Sequence, residues 1–233
     1  MQSWLEQVLQ EQYSFVKCLK RSEAAELTVL EHNQLHKKIL KRSFTGNPEV
    51  YQKLLTLHHH NMPEILEVVH TGERVTVLEE YIDGVTLFDL LHENLYTEKA
   101  AKALVSSLCD VLTLLHTHHI VHRDIKPQNT MIDKAQTVKL IDFDSARLYK
   151  PFYPQDTEYL GTPGYAAPEQ YGDTQTDGRT DIFSLGILMN EMLTGKKPTE
   201  QLYSGKLGRV IEKCIQVSPE KRFQDAAQLK RSL

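Results

Sequence analysis

The chain has 233 residues, 40% hydrophobic and 25% charged, with a formal net charge of −4. This is ordinary globular composition, long enough for one or two domains and a sizeable core, and its acidic balance argues against nucleic acid as the main partner. The three cysteines, Cys18, Cys109 and Cys214, are far apart and odd in number; they suggest neither a disulfide framework nor a zinc site and fit a reducing, cytoplasmic compartment.

In chain order, Met1–Gln12 is polar, with Trp4, Leu5, Val8 and Leu9 spaced for a short amphipathic helix and no signal-peptide pattern. Residues 13–43 alternate like strands through Tyr13, Phe15, Leu27, Val29, Leu35, Ile39 and Leu40. Lys17, Lys20, Arg21, Lys37, Lys38, Lys41 and Arg42 make this stretch basic, either as the solvated face of a small sheet or as a surface for an anionic ligand. Gly46-Asn47-Pro48 breaks the pattern, and Pro48 opens a short helix to about Leu57. Val68–Tyr81 reads as a hairpin turning at Thr71-Gly72-Glu73. From Glu98 to Leu115 the apolar residues recur at helical spacing behind a Thr97 N-cap. Met131-Ile132 and Val138–Ile141 form a small hairpin, residues 151–180 a long loop, and Asp181–Leu193 a buried helix ended by Gly195. Ser184 and Gly186 interrupt the most apolar run, Ile182–Met189, so no stretch reads as a membrane span. Polar amphipathic helices close the chain.

The chemistry concentrates in His122-Arg123-Asp124-Ile125-Lys126-Pro127-Gln128-Asn129, a loop held between a helix and a hairpin, and in Asp142 at the end of the strand that follows. Phosphoryl transfer needs an oriented hydroxyl, a group to accept its proton, and cations to neutralise the phosphate oxygens. Asp124 can accept the proton, Lys126 supplies a cation, and Asn129 and Asp142 offer the oxygen ligands that magnesium prefers.

Here the chain resembles the protein kinase family, in its bacterial, eukaryotic-like serine/threonine branch. His122–Asn129 is similar to the family's catalytic-loop signature, Asp142-Phe143-Asp144 to its metal-binding D-F-G, and Gly161-Thr162-Pro163-Gly164-Tyr165-Ala166-Ala167-Pro168-Glu169 to its G-T-x-x-Y-x-A-P-E segment. The resemblance implies an α+β, bilobal kinase fold in a single domain over 1–233. A small β-rich N-lobe with one helix takes about 1–82, and a larger helical C-lobe about 83–233. It implies Asp124 as catalytic base, Lys126 on the transferring phosphate, and Asn129 and Asp142 on magnesium (or manganese). Thr162 sits where the family selects serine or threonine acceptors, Thr157 is a candidate phosphosite to pair with Arg123, and Asp181 and Arg222 are structural, Arg222 pairing with Glu169. ATP, a protein substrate and the chain itself are the implied partners. The crowded His116, His118, His119 and His122 read as helix capping and loop structure rather than a metal cluster.

The first third departs from the family. The three glycine positions of the phosphate loop read Lys20, Ser22 and Ala25, so side chains of Lys20 or Ser22 would have to substitute for backbone clamping. Leu35–Leu40 is similar to the V-A-I-K-x-L strand, which makes Lys38 the phosphate-contacting lysine in preference to Lys37. Its expected glutamate falls at Tyr51; Glu49 lies about 200° round a helix from it, so the pair is absent, shifted, or made on activation. Leu78–Gly84 is similar to the hinge, with adenine bonding backbone at Glu80 and Ile82 and Glu79 at the gatekeeper position. Asp144 replaces a glycine, where it tolerates a left-handed backbone or adds a metal ligand. A serine/threonine kinase is the leading reading. A pseudokinase scaffold and a small-molecule kinase are the alternatives.

Overall fold

The computed structural model describes residues 4–150, 161–172 and 175–233. The chain divides into two compact units, Met1–His59 with Pro63–Asp83, and His60–Met62 with Gly84–Leu233.

The smaller unit opens with α1 (Trp4–Gln12), followed by strands β1 (Tyr13–Arg21), β2 (Ala25–His32) and β3 (Lys38–Thr45), the short helix α2 (Glu49–Leu54), and strands β4 (Ile65–Thr71) and β5 (Arg74–Glu80). The strands form one sheet in the order β1-β2-β3-β5-β4, antiparallel throughout. Alternation divides β3 between two faces. Ile39 packs with Leu78 against Leu5 and Leu9 of α1, which is why the first helix is amphipathic. The opposite face carries Arg42 and Phe44, both against the Tyr51 ring of α2. Helix α2 stops at Leu54 rather than near Leu57. The amides of Thr56 and Leu57 bond back only three residues, to Lys53 and Leu54, which tightens the chain out of the α-helix.

The larger unit contains β6 (Gly84–Thr86), α3 (Leu87–Glu93), α4 (Glu98–Thr117), β7 (Ile120–Val121), β8 (Thr130–Asp133), β9 (Val138–Leu140), β10 (Arg147–Leu148), α5 (Gly178–Thr194), α6 (Gly208–Cys214) and α7 (Ala226–Arg231). Strands β6, β8 and β9 make a small sheet, and β10 pairs with β7. Residues His60–Met62 belong here because Asn61 clasps β9: its carbonyl accepts the Leu140 amide at 2.8 Å and its side-chain amide donates to the Val138 carbonyl at 2.7 Å. Thr97 caps α4 by accepting the Ala100 amide at 3.3 Å, as its spacing predicts. By length and composition α4 could cross a membrane, but its apolar stripe is packed against α5, α7 and β9.

Two features escaped the sequence. Helix α3 is a single short element whose signal was Thr86, three residues before Asp89, whose amide the Thr86 hydroxyl accepts at 3.1 Å. Helix α5 starts at Gly178, not Asp181, because the Asp177 carboxylate accepts the Arg179 amide at 2.8 Å and nucleates the turn. Gly195 ends α5 in the left-handed conformation, at φ 71°. Within α5, Gly186 faces α6 so closely that a Cβ would lie 2.5 Å from that of Cys214. Gly186→Ala is therefore expected to cost roughly 1–3 kcal/mol through overpacking, read as a lower urea midpoint with an unchanged slope.

Candidate active site

The catalytic-loop segment leaves β7 and returns through a 3₁₀ turn, Pro127–Asn129, into β8. Its shape is fixed from below by Asp181, fully buried in the first turn of α5. One Asp181 oxygen accepts the Arg123 amide at 2.8 Å, and the other accepts the His122 amide at 2.9 Å and His116 Nε2 at 2.8 Å. Burial works against the Asp181 charge, but the His116 hydrogen bond, the nearby imidazoles and the His122 amide outweigh it and hold the carboxyl below the usual range. These bonds sustain a left-handed backbone at Arg123, φ 65°, which a non-glycine residue adopts only when its surroundings impose it. His122 is fully buried, edge-on to Phe143 at 5.1 Å, and bonded to the Ile141 carbonyl. Burial pulls its pKa below the ordinary 6.5 despite the surrounding carboxylates. The histidine cluster thus divides its work. His118 caps the end of α4 through the Leu114 carbonyl, as expected, whereas His116 reaches Asp181 rather than its own helix terminus.

Above this anchor, Asp124, Lys126, Asn129 and Thr162 meet. Asp124 Oδ2 accepts from Lys126 Nζ at 2.7 Å and from Asn129 Nδ2 at 2.8 Å, while Oδ1 accepts the Thr162 hydroxyl at 2.6 Å. Lys126 Nζ also donates to the Thr162 oxygen at 2.7 Å. A hydroxyl oxygen therefore sits between a carboxylate that accepts its hydrogen bond and an ammonium that donates to it. Asp142, also left-handed at φ 65°, follows Ile141, whose amide donates to the Asn129 carbonyl at 2.9 Å, so the two expected metal ligands are tied backbone to backbone. With its Nδ2 committed to Asp124, Asn129 has its amide oxygen left as a ligand atom. One carboxylate and one amide oxygen suit magnesium, which completes its shell with phosphate oxygens and water.

Glu169 and Arg222 form a buried, two-pronged pair at 2.6 and 2.8 Å. Arg222 also donates to the carbonyls of Arg179, Gln216 and Val217, and Thr180 donates to Glu169 at 2.9 Å. Every donor direction of the guanidinium is used, as a buried arginine requires.

Comparison with known proteins agrees with this geometry. Residues 12–232 match the protein kinase domain. The chain belongs to that family. Among its curated relatives, serine/threonine-protein kinase PknB of Mycobacterium tuberculosis is 31% identical over 87% of this chain, and PknB of Mycobacterium leprae 30% identical over 87%. Serine/threonine-protein kinase SIK1 of Mus musculus is 32% identical over 63% of the chain. The chain spans 38% of the length of the PknB proteins and 19% of SIK1. The β-sheet of the smaller unit and the helices of the larger one are the mixed α+β architecture expected of a kinase domain.

In the smaller unit the residues expected at the nucleotide stand on β3, in the β1–β2 turn, and at the end of β5 and just after it. Lys38 is the exposed first residue of β3, paired across the sheet with Glu31 and 5.8 Å from the Tyr81 ring centroid. Ser22 and Ala25 close the β1–β2 turn on themselves: the Ser22 amide bonds the Ala25 carbonyl at 2.8 Å and the Ala25 amide bonds the Ser22 hydroxyl at 3.1 Å. Both amides are thereby withdrawn from a phosphate clamp. The Glu80 amide donates to the Glu64 carbonyl at 2.8 Å, which ties the end of β5 in place, and Ile82 is buried just after it. The basic stretch is not all solvated, since Arg42 lies buried on Glu79, a pair that the sequence reading missed because it assigned the strand's cation to Lys38. Thr157 lies outside the described residues.

Two outcomes follow from the anchors. His122 and Asp181 both have depressed folded pKa values, so the stability they contribute is present at neutral pH. It should decline as pH falls below 6.5, where the unfolded imidazole gains a proton that the buried ring resists, and further as Asp181 is protonated. Thermal melts at a series of pH values should show this, and His122→Asn should flatten the slope between about pH 5 and 6.5. Arg222→Ala strands a buried carboxylate and should cost about 3–5 kcal/mol in denaturant unfolding.

Proposed function

We propose that the chain is a serine/threonine protein kinase, transferring the terminal phosphoryl group of ATP to protein hydroxyls and to itself. The observation that carries this reading is the Thr162 hydroxyl held on Asp124 at 2.6 Å with Lys126 at 2.7 Å, the contacts an acceptor hydroxyl needs in order to attack. In the reaction the acceptor oxygen bonds to the γ-phosphorus, the bond from that phosphorus to the bridging oxygen breaks, and ADP leaves. Asp124 accepts the hydroxyl proton and Lys126 offsets charge on the phosphoryl oxygens. A magnesium or manganese ion on Asp142 and Asn129 would neutralise the nucleotide's phosphates.

Autophosphorylation is proposed for the segment after Asp142, with Thr157 as the acceptor. Arg123 supports it: its Nε donates to the Ser145 carbonyl at 2.8 Å, which puts a guanidinium beside the segment after Asp142, and a phosphate there would pair with it.

The test is transfer of labelled γ-phosphate from Mg–ATP to the chain and to a basic protein acceptor. Asp124→Asn should reduce turnover roughly 10²–10⁴-fold while leaving the fold intact by thermal melt. Wild-type protein that binds ATP and transfers nothing would identify a pseudokinase instead. Mass spectrometry after incubation with Mg–ATP should place phosphate on Thr157, and Thr157→Ala should remove it.

A further inference from the structure

Among the described residues of the smaller unit, Arg42 and Glu79 are the charged side chains that are buried, at 5% and 2% exposure. Arg42 Nη2 and Nε donate to Glu79 Oε1 at 3.1 and 3.3 Å, and the guanidinium lies 5.8 Å from the Tyr51 ring centroid. A buried ion pair in a small sheet is poorly explained by stability, because well-packed apolar residues serve as well or better. Arginine also stays charged where a buried lysine can lose its proton.

We infer that Arg42, rather than Lys38, is the cation the smaller unit presents to the nucleotide's phosphates, and that Glu79 is the residue that positions it. The inference rests on the kinase reading above and deepens it. Three observations carry it. First, alternation puts Lys38, Leu40 and Arg42 on one face of β3. The neighbour of Lys38, Ile39, is level with Glu80, and the Lys38 ammonium lies over Tyr81. Lys38 is thus beside the segment proposed to hold the base, whereas Arg42 stands four residues further along, about 13 Å of strand, as a group held apart from the base must. Second, the β1–β2 turn carries none of the family's glycines and its Ser22 and Ala25 amides are bonded within it, so a side-chain cation has more of the phosphate charge to neutralise. Third, Leu40 lies opposite Glu79 and Arg42 opposite Val77 on the adjacent strand, which makes Arg42 and Glu79 diagonal neighbours on one face of the sheet. The register of the sheet therefore brings this pair together, and Tyr51 stands on α2 where the family's glutamate is expected.

The experiment measures ATP and adenosine affinity calorimetrically, with Mg²⁺, on the full chain. The proteins are wild type, Arg42→Met, Arg42→Lys, Lys38→Ala, and the double variant Arg42→Glu with Glu79→Arg. Arg42→Met should weaken ATP roughly ten- to a hundredfold, the scale of a lost charged hydrogen bond, and leave adenosine unchanged. Arg42→Lys should recover most of the loss. The double variant keeps the ion pair but moves the cation to β5, so it should melt like wild type and still bind ATP as weakly as Arg42→Met. If Arg42→Met fails to fold, the double variant decides. An ATP-to-adenosine ratio unmoved by Arg42→Met, a double variant with wild-type ATP affinity, or a larger loss in Lys38→Ala would each overturn the inference. Because binding is read without turnover, a wild-type chain that transfers no phosphate overturns the kinase reading alone.

Discussion

Asp181 lies buried at the start of α5, and both of its oxygens are spent on the loop that carries the chemistry. A charge in that position is tolerable because two amides, an imidazole and the positive end of a long helix surround it. The consequence reaches well beyond one residue. With the amides of His122 and Arg123 held, the left-handed turn at Arg123 is imposed, and Asp124 is projected toward Lys126, Asn129 and Thr162. The apolar envelope of α5 supplies the rigidity that a single carboxylate could not.

The segment from Gly161 to Glu169 is organised from the same helix. Ser184 donates to the Tyr165 carbonyl at 3.0 Å, and Thr180 and Arg222 hold Glu169. Gln170 reaches the Arg123 carbonyl at 2.9 Å. Loop and acceptor-side segment are thus two surfaces of one hydrogen-bonded block whose floor is α5. Within that block a hydroxyl rests on the proposed base and beside the proposed cation, so proximity and charge are arranged before any acceptor arrives.

The smaller unit follows a different logic. Its sheet is covered on one face by α1 and carries its buried charge on the other. The glycines that would let backbone amides approach a phosphate are absent, and in the turn that replaces them Ser22 and Ala25 bond to each other. Arg42 and Glu79 together bury a fixed cation on the sheet face opposite α1. A pair between adjacent strands is set by sheet register, which changes less readily than the position of a short helix such as α2.

Elements with strong local signals were legible in the sequence. The Thr97 cap and stripe of α4, the Gly195 stop of α5 and the turn at Gly72 each express a local rule of sterics or periodicity, whereas the alternation read through Tyr13–Leu40 did not hold: β1 is exposed almost throughout and Leu35 lies in the turn before β3. The catalytic loop was legible too, because Asp124, Lys126 and Asn129 lie within six positions and phosphoryl transfer constrains their types. Beyond the local caps of α3 and α5, what escaped was non-local. Lys38 and Arg42 are both basic residues on one face of one strand, and only the pairing of β3 with β5, 37 residues apart, shows which is buried on a carboxylate. Asp181 was recognisable as a residue, but its hold on His116, His122 and Arg123 exists only once α5 packs beneath a loop some 60 positions earlier, 59 of them for the His122 amide. By itself the sequence determined the local elements and the catalytic residue types, through backbone sterics and hydrophobic periodicity. The tertiary structure alone decided which charges are buried together, because burial and pairing depend on register and packing between distant segments.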